Sequence, residues 1–130
     1  MFSSALINLY TRDIEAALRF YRDLLGGEET FRTPAEGVPE HVELRLTDDG
    51  LILGLGTVEA AERVHGVSPT PGAPAMVLVL WTADVDRTFA ALSAAGAPVL
   101  QSPHDTGNNN RNALLRDPDG NLVELVSKVS

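Results

Sequence analysis

The sequence predicts an α+β fold made of two βαβββ modules, each a strand, a helix and three further strands. A turn followed by an apolar run occurs twice, as TDDGLILG at 47–54 and as RDPDGNLVELV at 116–126. A helical pattern that follows a strand-like run also occurs twice, beginning at Asp13-Ile14 and at Asp84-Val85. Internal duplication fixes the architecture, and two copies are too few for a solenoid. We therefore expect one pseudo-symmetric domain, with module one at 1–56, a connector at 57–74 and module two at 75–130.

Module one begins with a predicted strand at 5–11. Asp13 is suited to cap the next helix, since its side chain accepts from an otherwise unpaired backbone N–H. The apolar stripe of this helix continues to Leu25, and Gly26 ends it. Asp49-Gly50 is a hairpin turn signal. The remaining strands are predicted at 28–32, 41–47 and 51–55.

The connector is marked by three prolines and two glycines between 66 and 74. Residues 58–64, just before them, are expected to form a helical turn or two. Module two then repeats the order, with a strand at 75–81 and a helix at 84–95. Its later strands are predicted near 97–101, 111–116 and 121–127. The polar segment 102–110 is predicted to be an exposed, mobile loop.

Composition narrows the class of protein. The 130 residues suit one domain with a real core, and the absence of cysteine excludes disulfides and thiolate chemistry. A net charge of −8 argues against nucleic acid as a partner, which requires clustered Lys and Arg. No apolar run approaches the ~20 residues that cross a bilayer. With neither a membrane segment nor a secretory signal evident, a cytoplasmic location is expected.

Three motifs resemble the glyoxalase/bleomycin-resistance/dioxygenase group, also called the vicinal oxygen chelate superfamily. They are Asp13-Ile-Glu with FYRDLLG at 20–26, Asp84-Val-Asp with Ala94-Ala-Gly96, and DPDGNLVEL at 117–125. The resemblance covers nearly the whole chain. It implies two βαβββ modules that form a curved mixed sheet around a cavity. Together with exposed sheet edges, it also favours a homodimer.

Metal-dependent members of this group typically place four ligands in the cavity, from the first and last strand of each module. Spacing from the capping aspartates and turn glycines puts these positions at Leu6, Gly54, Val77 and Glu124. Only Glu124 has a side chain that binds metals. A divalent ion needs several N, O or S donors, so we expect no metal, and no other cofactor is predicted.

Strand alternation predicts the side chains that share a face with these positions. These side chains form a largely apolar surface of the cavity, which also carries one indole, one phenol, one amide and one acid. It suits an organic ligand with a flat or aliphatic body and a cationic or donor group. The predicted ligand-binding residues are Asn8, Tyr10, Trp81 and Glu124. The alternatives are structural: Trp81 as a packing residue, and Glu124 as a hydrogen-bonded or hydrated carboxylate.

The histidines carry weaker signals. His41 and Glu43 share a strand face at the spacing of two ligands, but without further donors a surface or interface position is expected. His104 neighbours Asp105, and adjacent residues in a loop usually point apart. His65 is expected to be exposed in the connector.

Three functional hypotheses remain open. The first is a metal-free small-molecule-binding protein of the bleomycin-resistance type. The second is a lyase, isomerase or dioxygenase-like enzyme that uses a relocated metal, or Glu124 as a proton-transfer group. The third is a scaffold or regulatory module with a vestigial cavity.

Overall fold

The structure is a computed structural model that describes residues 1, 3–73, 76–107 and 109–129. The chain divides into two compact units, Met1–Pro71 and Gly72–Ser130. Unit one contains β1 Ile7–Thr11, α1 Ile14–Leu18, β2 Glu28–Thr33, β3 His41–Arg45, β4 Ile52–Thr57 and α2 Val58–His65. Unit two contains β5 Val77–Trp81, α3 Val85–Ala94, β6 Val99–Gly107, β7 Asn110–Arg116 and β8 Leu122–Lys128. The α+β class and the two βαβββ modules are confirmed.

The sheet of unit one has the strand order β1-β4-β3-β2. β1 runs parallel to β4, and the two other pairings are antiparallel. One face of β3 and β4 is fully buried, through Val42, Leu44, Leu53 and Leu55. Complete burial of a side chain of this size stabilises the fold by about 1.5–3 kcal/mol. The opposite face of the same strands is therefore the one that remains open to a ligand.

The first helix begins as predicted, because Asp13 Oδ1 accepts a 3.1 Å hydrogen bond from the Ala16 N–H. After Leu18 the chain continues in a wider π-helical turn over Arg19–Leu24. Phe20 and Tyr21 are buried there, with their rings edge to face at 4.9 Å. Such edge-to-face pairs add stability beyond the area that they bury.

The connector contains the helix α2, whose eight residues make about two turns, as predicted for 58–64. Thr57 Oγ1 caps it by accepting from the Ala60 N–H at 3.2 Å. The helix ends at Gly66, whose φ of +68° is accessible to glycine at little cost. Ala61 is buried, and α2 packs against β4. This packing brings one side of the helix next to the sheet.

Unit two repeats the arrangement with the strand order β5-β8-β7-β6. Asp84 Oδ1 caps α3 by accepting from the Arg87 N–H at 3.1 Å. The buried Ser127 hydroxyl of β8 accepts from the Val85 N–H at 3.1 Å, which holds the start of the helix on the sheet. Ala113, Leu115, Val123 and Leu125 form the covered face of this sheet.

The predicted loop at 102–110 is wrong for most of its length. Residues 102–107 continue β6, which pairs with β7 as a hairpin. β6 is an edge strand with three register shifts. Its exposed side chains give no apolar alternation, and Pro103 is tolerated because an edge strand needs fewer ladder hydrogen bonds. Asn108 in this segment, and Ala75 at the predicted start of the fifth strand, lie outside the described residues.

Within the described residues, no helix has both the length and the apolar character that crossing a bilayer requires.

Candidate functional site

The open face of the unit one sheet carries two rows of polar side chains around two glycines. In the first row, Gly54 of β4 lies between Asn8 of β1 and Glu43 of β3. In the second row, Gly56 lies between Tyr10 and His41. Side chains two residues apart on a strand point to the same face, so all four polar side chains project together.

Gly54 is covered by its neighbour. A Cβ atom at this position would overlap Asn8 Oδ1 and would lie 3.1 Å from His41 Cε1. The Asn8 amide thus occupies the space that a side chain at 54 would fill. Gly56 has more room, because a Cβ there would be 3.8 Å from the Tyr10 ring and 4.0 Å from His41 Nδ1. A side chain at position 54 is therefore blocked by Asn8, whereas a methyl group at position 56 would meet only ordinary van der Waals contacts.

His41 and Glu43 form a hydrogen-bonded pair beside these glycines. Their Nε2 and Oε2 atoms are 3.0 Å apart, and their side chains are 25% and 27% exposed. The Phe31 ring of β2 lies 6.2 Å from the imidazole, centroid to centroid. The sequence predicts that His41 and Glu43 share a strand face and that both lie at a surface or an interface. The structure brings them next to Asn8 and Tyr10.

A groove of about 290 Å³ lies over the second row, between the sheet and α2. Ala60, Ala61 and Val64 of α2 form its apolar side. Its remaining lining residues are Asn8, Tyr10, Thr33, Glu40, His41, Gly56, Thr57 and His65. At the groove, Glu40 forms an ion pair of 2.6 Å with Arg63. His65 is exposed, as predicted, but it also reaches this groove.

The corresponding face of unit two is more apolar. Glu124 of β8 lies between Val79 of β5 and Leu114 of β7, and its side chain is half-buried. Trp81 is 61% exposed on the same face. The Lys128 ammonium lies 5.2 Å from the centre of the indole, within the range of a cation–π contact.

The structure thus places the predicted ligand-binding residues as two pairs, Asn8 with Tyr10 in unit one and Trp81 with Glu124 in unit two. Each pair shares one sheet face of its own unit. A ligand-binding role for these four residues stays a prediction. Of the four positions implied for a metal, Leu6 precedes β1, Gly54 lies in β4, Val77 begins β5 and Glu124 is in β8.

These residues do not fit a metal. Leu6 and Val77 have no donor atom, and the space above Gly54 is filled by the Asn8 amide. The described part of the chain contains no group of three or more His, Cys, Asp and Glu residues able to hold an ion. No chemical step is therefore assigned to a metal.

Other charged clusters outside the groove connect elements of the fold. Arg111 forms ion pairs with Asp86 at 2.8 Å and Asp105 at 3.0 Å. The hydrogen bond to Arg111 lowers the pKa of Asp86, and the bonds to Asp86 and Asp105 raise the pKa of Arg111. Asp105 therefore faces Arg111, whereas His104 Nδ1 contacts the Ser102 carbonyl oxygen at 2.9 Å. The neighbouring His104 and Asp105 do not act as a pair.

A second cluster joins the first helical segment to β2. Glu29 receives hydrogen bonds from Arg32 at 2.7 and 2.8 Å and from Arg22 at 3.3 Å. The Arg32 bond is the main reason that the pKa of Glu29 is lowered, with a smaller contribution from Arg22. This carboxylate is therefore stabilised in its ionised form.

Comparison with solved structures finds similar chains of nearly the same length. TioX from Micromonospora sp. ML1 is 27% identical, with 97% of this chain and 99% of that chain covered and a TM-score of 0.76. A glyoxalase/bleomycin resistance protein from Streptomyces sp. CB03234 is 27% identical, with 95% and 98% covered and a TM-score of 0.67. A glyoxalase/bleomycin resistance protein/dioxygenase family enzyme from Burkholderia phytofirmans PsJN is 26% identical, with 93% and 94% covered and a TM-score of 0.74.

A comparison with curated proteins gives no significant match. The family model of the Glyoxalase/Bleomycin resistance protein/Dioxygenase superfamily matches residues 4–125. This match covers almost the entire chain and includes both modules. The chain belongs to the glyoxalase/bleomycin resistance protein/dioxygenase superfamily.

Proposed function

We propose that this chain is a metal-free protein that binds a small organic molecule, apolar or cationic, on the open sheet faces of its modules. The observation that carries the proposal is the Asn8 amide above Gly54. At a position where metal-dependent relatives are expected to supply a ligand, this chain has no side chain, and the neighbouring strand fills the space with a neutral amide. An amide is a hydrogen-bonding group suited to an organic molecule.

The groove beside this amide supports the proposal. Its volume of about 290 Å³ is close to the lower end of small-molecule sites, which are concave, mostly apolar and lined with a few polar groups. Alanine and valine side chains of α2 face the polar side chains of the sheet across it. In unit two, Trp81 offers an exposed indole on the face that carries Glu124. Aromatic faces attract organic cations.

A thermal-shift screen tests the proposal directly. Compounds with cationic, neutral and anionic groups on flat or aliphatic bodies are added to purified protein, and in parallel wells Zn²⁺, Ni²⁺, Mn²⁺ or Fe²⁺. Binding to the native state raises its stability as ligand concentration rises. We expect organic compounds to raise the melting temperature and the metals to leave it unchanged. Trp81, the only tryptophan, gives a fluorescence readout of binding to unit two.

Two outcomes would overturn the proposal. Metal retained at one ion per chain after dialysis against a chelator would contradict the metal-free site. A screen in which no compound raises the melting temperature would leave a scaffold or regulatory module as the better description. A homodimer stays part of the proposal, and light scattering coupled to size exclusion measures it.

The second candidate is a lyase, isomerase or dioxygenase-like enzyme, with a relocated metal or with Glu124 as an acid–base group. One observation favours it: the neighbour from Burkholderia phytofirmans PsJN is described as a family enzyme. The metal wells of the same screen separate a relocated metal site from the leading proposal. If a reaction is found, Glu124→Gln should abolish it with the fold intact, and unchanged turnover would remove Glu124 from the mechanism.

A further inference from the structure

We propose that His41, held by Glu43 behind it, is the polar anchor of the unit one groove, and that this pair selects organic cations carrying N–H donors, such as protonated amines. The inference rests on the proposed ligand-binding function and names the chemical class of the ligand. It concerns strand β3, whose residues are not among the expected metal positions Leu6, Gly54, Val77 and Glu124.

Glu43 fixes which nitrogen of His41 is available. Nε2 of His41 lies 3.0 Å from Glu43 Oε2. In the tautomer that donates from Nε2 to this carboxylate, the lone pair of the ring is on Nδ1. Nδ1 lies 4.0 Å from the point where a Cβ of residue 56 would be. In this tautomer the acceptor nitrogen of the imidazole therefore lies beside Gly56, which lines the groove.

The space above Gly56 has a second boundary. The Tyr10 ring lies on the opposite side of the glycine, 3.8 Å from the same point. A side chain at 56 would stand between the phenol ring and the imidazole, and glycine leaves that space to a ligand. An ammonium group placed there could donate to Nδ1 and contact the Tyr10 ring, which attracts cations through its face.

The charge of the groove favours a cation over an anion. Among its described lining residues there are Glu40 and two histidines but neither lysine nor arginine. The nearby Arg63 guanidinium is paired with Glu40. The Glu43 carboxylate is paired with the imidazole of His41. At a net charge of −8, the field of the whole protein also raises the local concentration of cations.

The rest of the groove requires an apolar body of modest size. Ala60, Ala61 and Val64 face the polar sheet residues across a space of about 290 Å³. A space of this size suits a fragment with one or two rings. We therefore expect the amine to dock between His41 and Tyr10, and the body of the ligand to lie along α2.

Three probes with the same ring test the charge preference: tryptamine, which is protonated at neutral pH, the neutral alcohol tryptophol and the anion indole-3-acetate. Each is titrated into ¹⁵N-labelled protein, and amide shifts give both the affinity and the location. We expect tryptamine to bind about tenfold more tightly than tryptophol, since a charge-assisted hydrogen bond adds at least that factor. The largest shifts should be at Tyr10, His41 and Gly56.

Two variants test the named residues. Glu43→Gln keeps an acceptor for the Nε2–H and removes the charge, and His41→Phe keeps a ring and removes Nδ1. Each should weaken tryptamine binding about tenfold with little change for tryptophol. Glu59→Gln is the matched control, because Glu59 is exposed on α2 and does not line the groove. It removes the same charge and should leave tryptamine affinity unchanged.

The spectra of the variants report folding, so a lost interaction is separable from a lost fold. Equal affinity for tryptamine and tryptophol, shifts outside the groove, or full tryptamine affinity in both variants would overturn the inference. If none of the three probes binds while another compound raises the melting temperature, the inference fails and the proposed function stands. If nothing binds in either experiment, both fail.

Discussion

The substitution Gly54→Ala tests whether the Asn8 amide occupies the expected metal position. An alanine Cβ would overlap Asn8 Oδ1, and it would lie 3.0 Å from Asn8 Cγ and 3.1 Å from His41 Cε1. The overlap with Oδ1 is far inside van der Waals contact, so the Asn8 side chain must rotate away. The obstacle is the end of a flexible, exposed side chain and not backbone, so the fold should adapt.

Two opposing terms set the size of the effect. Rotating Asn8 out of its preferred conformation costs about 0.5–1.5 kcal/mol. The small shift of His41 adds to this cost, and the sum lies within the range of about 1–3 kcal/mol that is typical of overpacking. Replacing glycine by alanine inside a strand returns about 0.5–1 kcal/mol. We therefore expect Gly54→Ala alone to destabilise the protein by about 0.5–1 kcal/mol. When Asn8→Ala is also present, the overlap with Asn8 is removed and only the 3.1 Å contact with His41 Cε1 remains, so the same change should be neutral or stabilising.

Urea unfolding of the wild type, both single variants and the double variant gives the coupling energy between the two positions. The expected value is about 1–2 kcal/mol, with the double variant more stable than the sum of the single effects predicts. If Gly54→Ala has the same effect in the wild type and in the Asn8→Ala variant, the amide does not fill that space. The structural basis of the metal-free proposal would then be lost.

Three further predictions concern the fold that supports these faces. Asp117 is 4% exposed, and its carboxylate accepts hydrogen bonds from the Asp119 N–H and from the backbone and side chain of Asn121. Asp117→Ala should lower the free energy of unfolding in urea by about 2–4 kcal/mol. A loss below ~1 kcal/mol would show that these hydrogen bonds do not stabilise the fold. Leu44→Ala, at a fully buried position, should cost about 2–5 kcal/mol, whereas Val38→Ala at a 63% exposed position should change stability by less than ~0.5 kcal/mol. The lowered pKa of Glu29 stabilises the fold above the unfolded value of ~4.3, and this contribution is lost as the pH falls through the folded pKa. Glu29→Gln should thus be less stable than the wild type at pH ~7, with a difference that closes under acid; a pH-independent difference would refute the assignment.

The fold could be predicted because its signals are local and occur twice. Asp13 and Asp84 were identified as helix-capping residues from their place before an apolar stripe, and both accept from the backbone N–H three residues later. The segment 102–107 could not be identified as strand, since an exposed edge strand with register shifts lacks the alternation on which that prediction depends. The two-turn helix α2 was predicted to within one residue, although Ala61 is the one buried side chain among residues 58–65.

The site could be predicted only in part. Alternation along β1 correctly placed Asn8 and Tyr10 on one face. Whether His41 and Glu43 lie beside Asn8 and Tyr10 depends on the register between β3 and β4. Alternation along a single strand does not give that register. The predicted Asp49-Gly50 turn would pair Glu43 with Gly56. In the structure the Gly50 N–H donates to the Thr47 carbonyl oxygen at 3.0 Å, and this turn one residue earlier pairs Glu43 with Gly54 and His41 with Gly56. The 3.0 Å pairing of the two side chains needed coordinates.

The irregular outer strand of unit two restricts how copies of this chain can associate. An added strand from another molecule needs a straight row of free N–H and C=O groups. β6 interrupts such a row with register shifts along its length, with the missing N–H of Pro103 and with the charged Asp105. Self-association by extension of the unit two sheet is therefore disfavoured along β6.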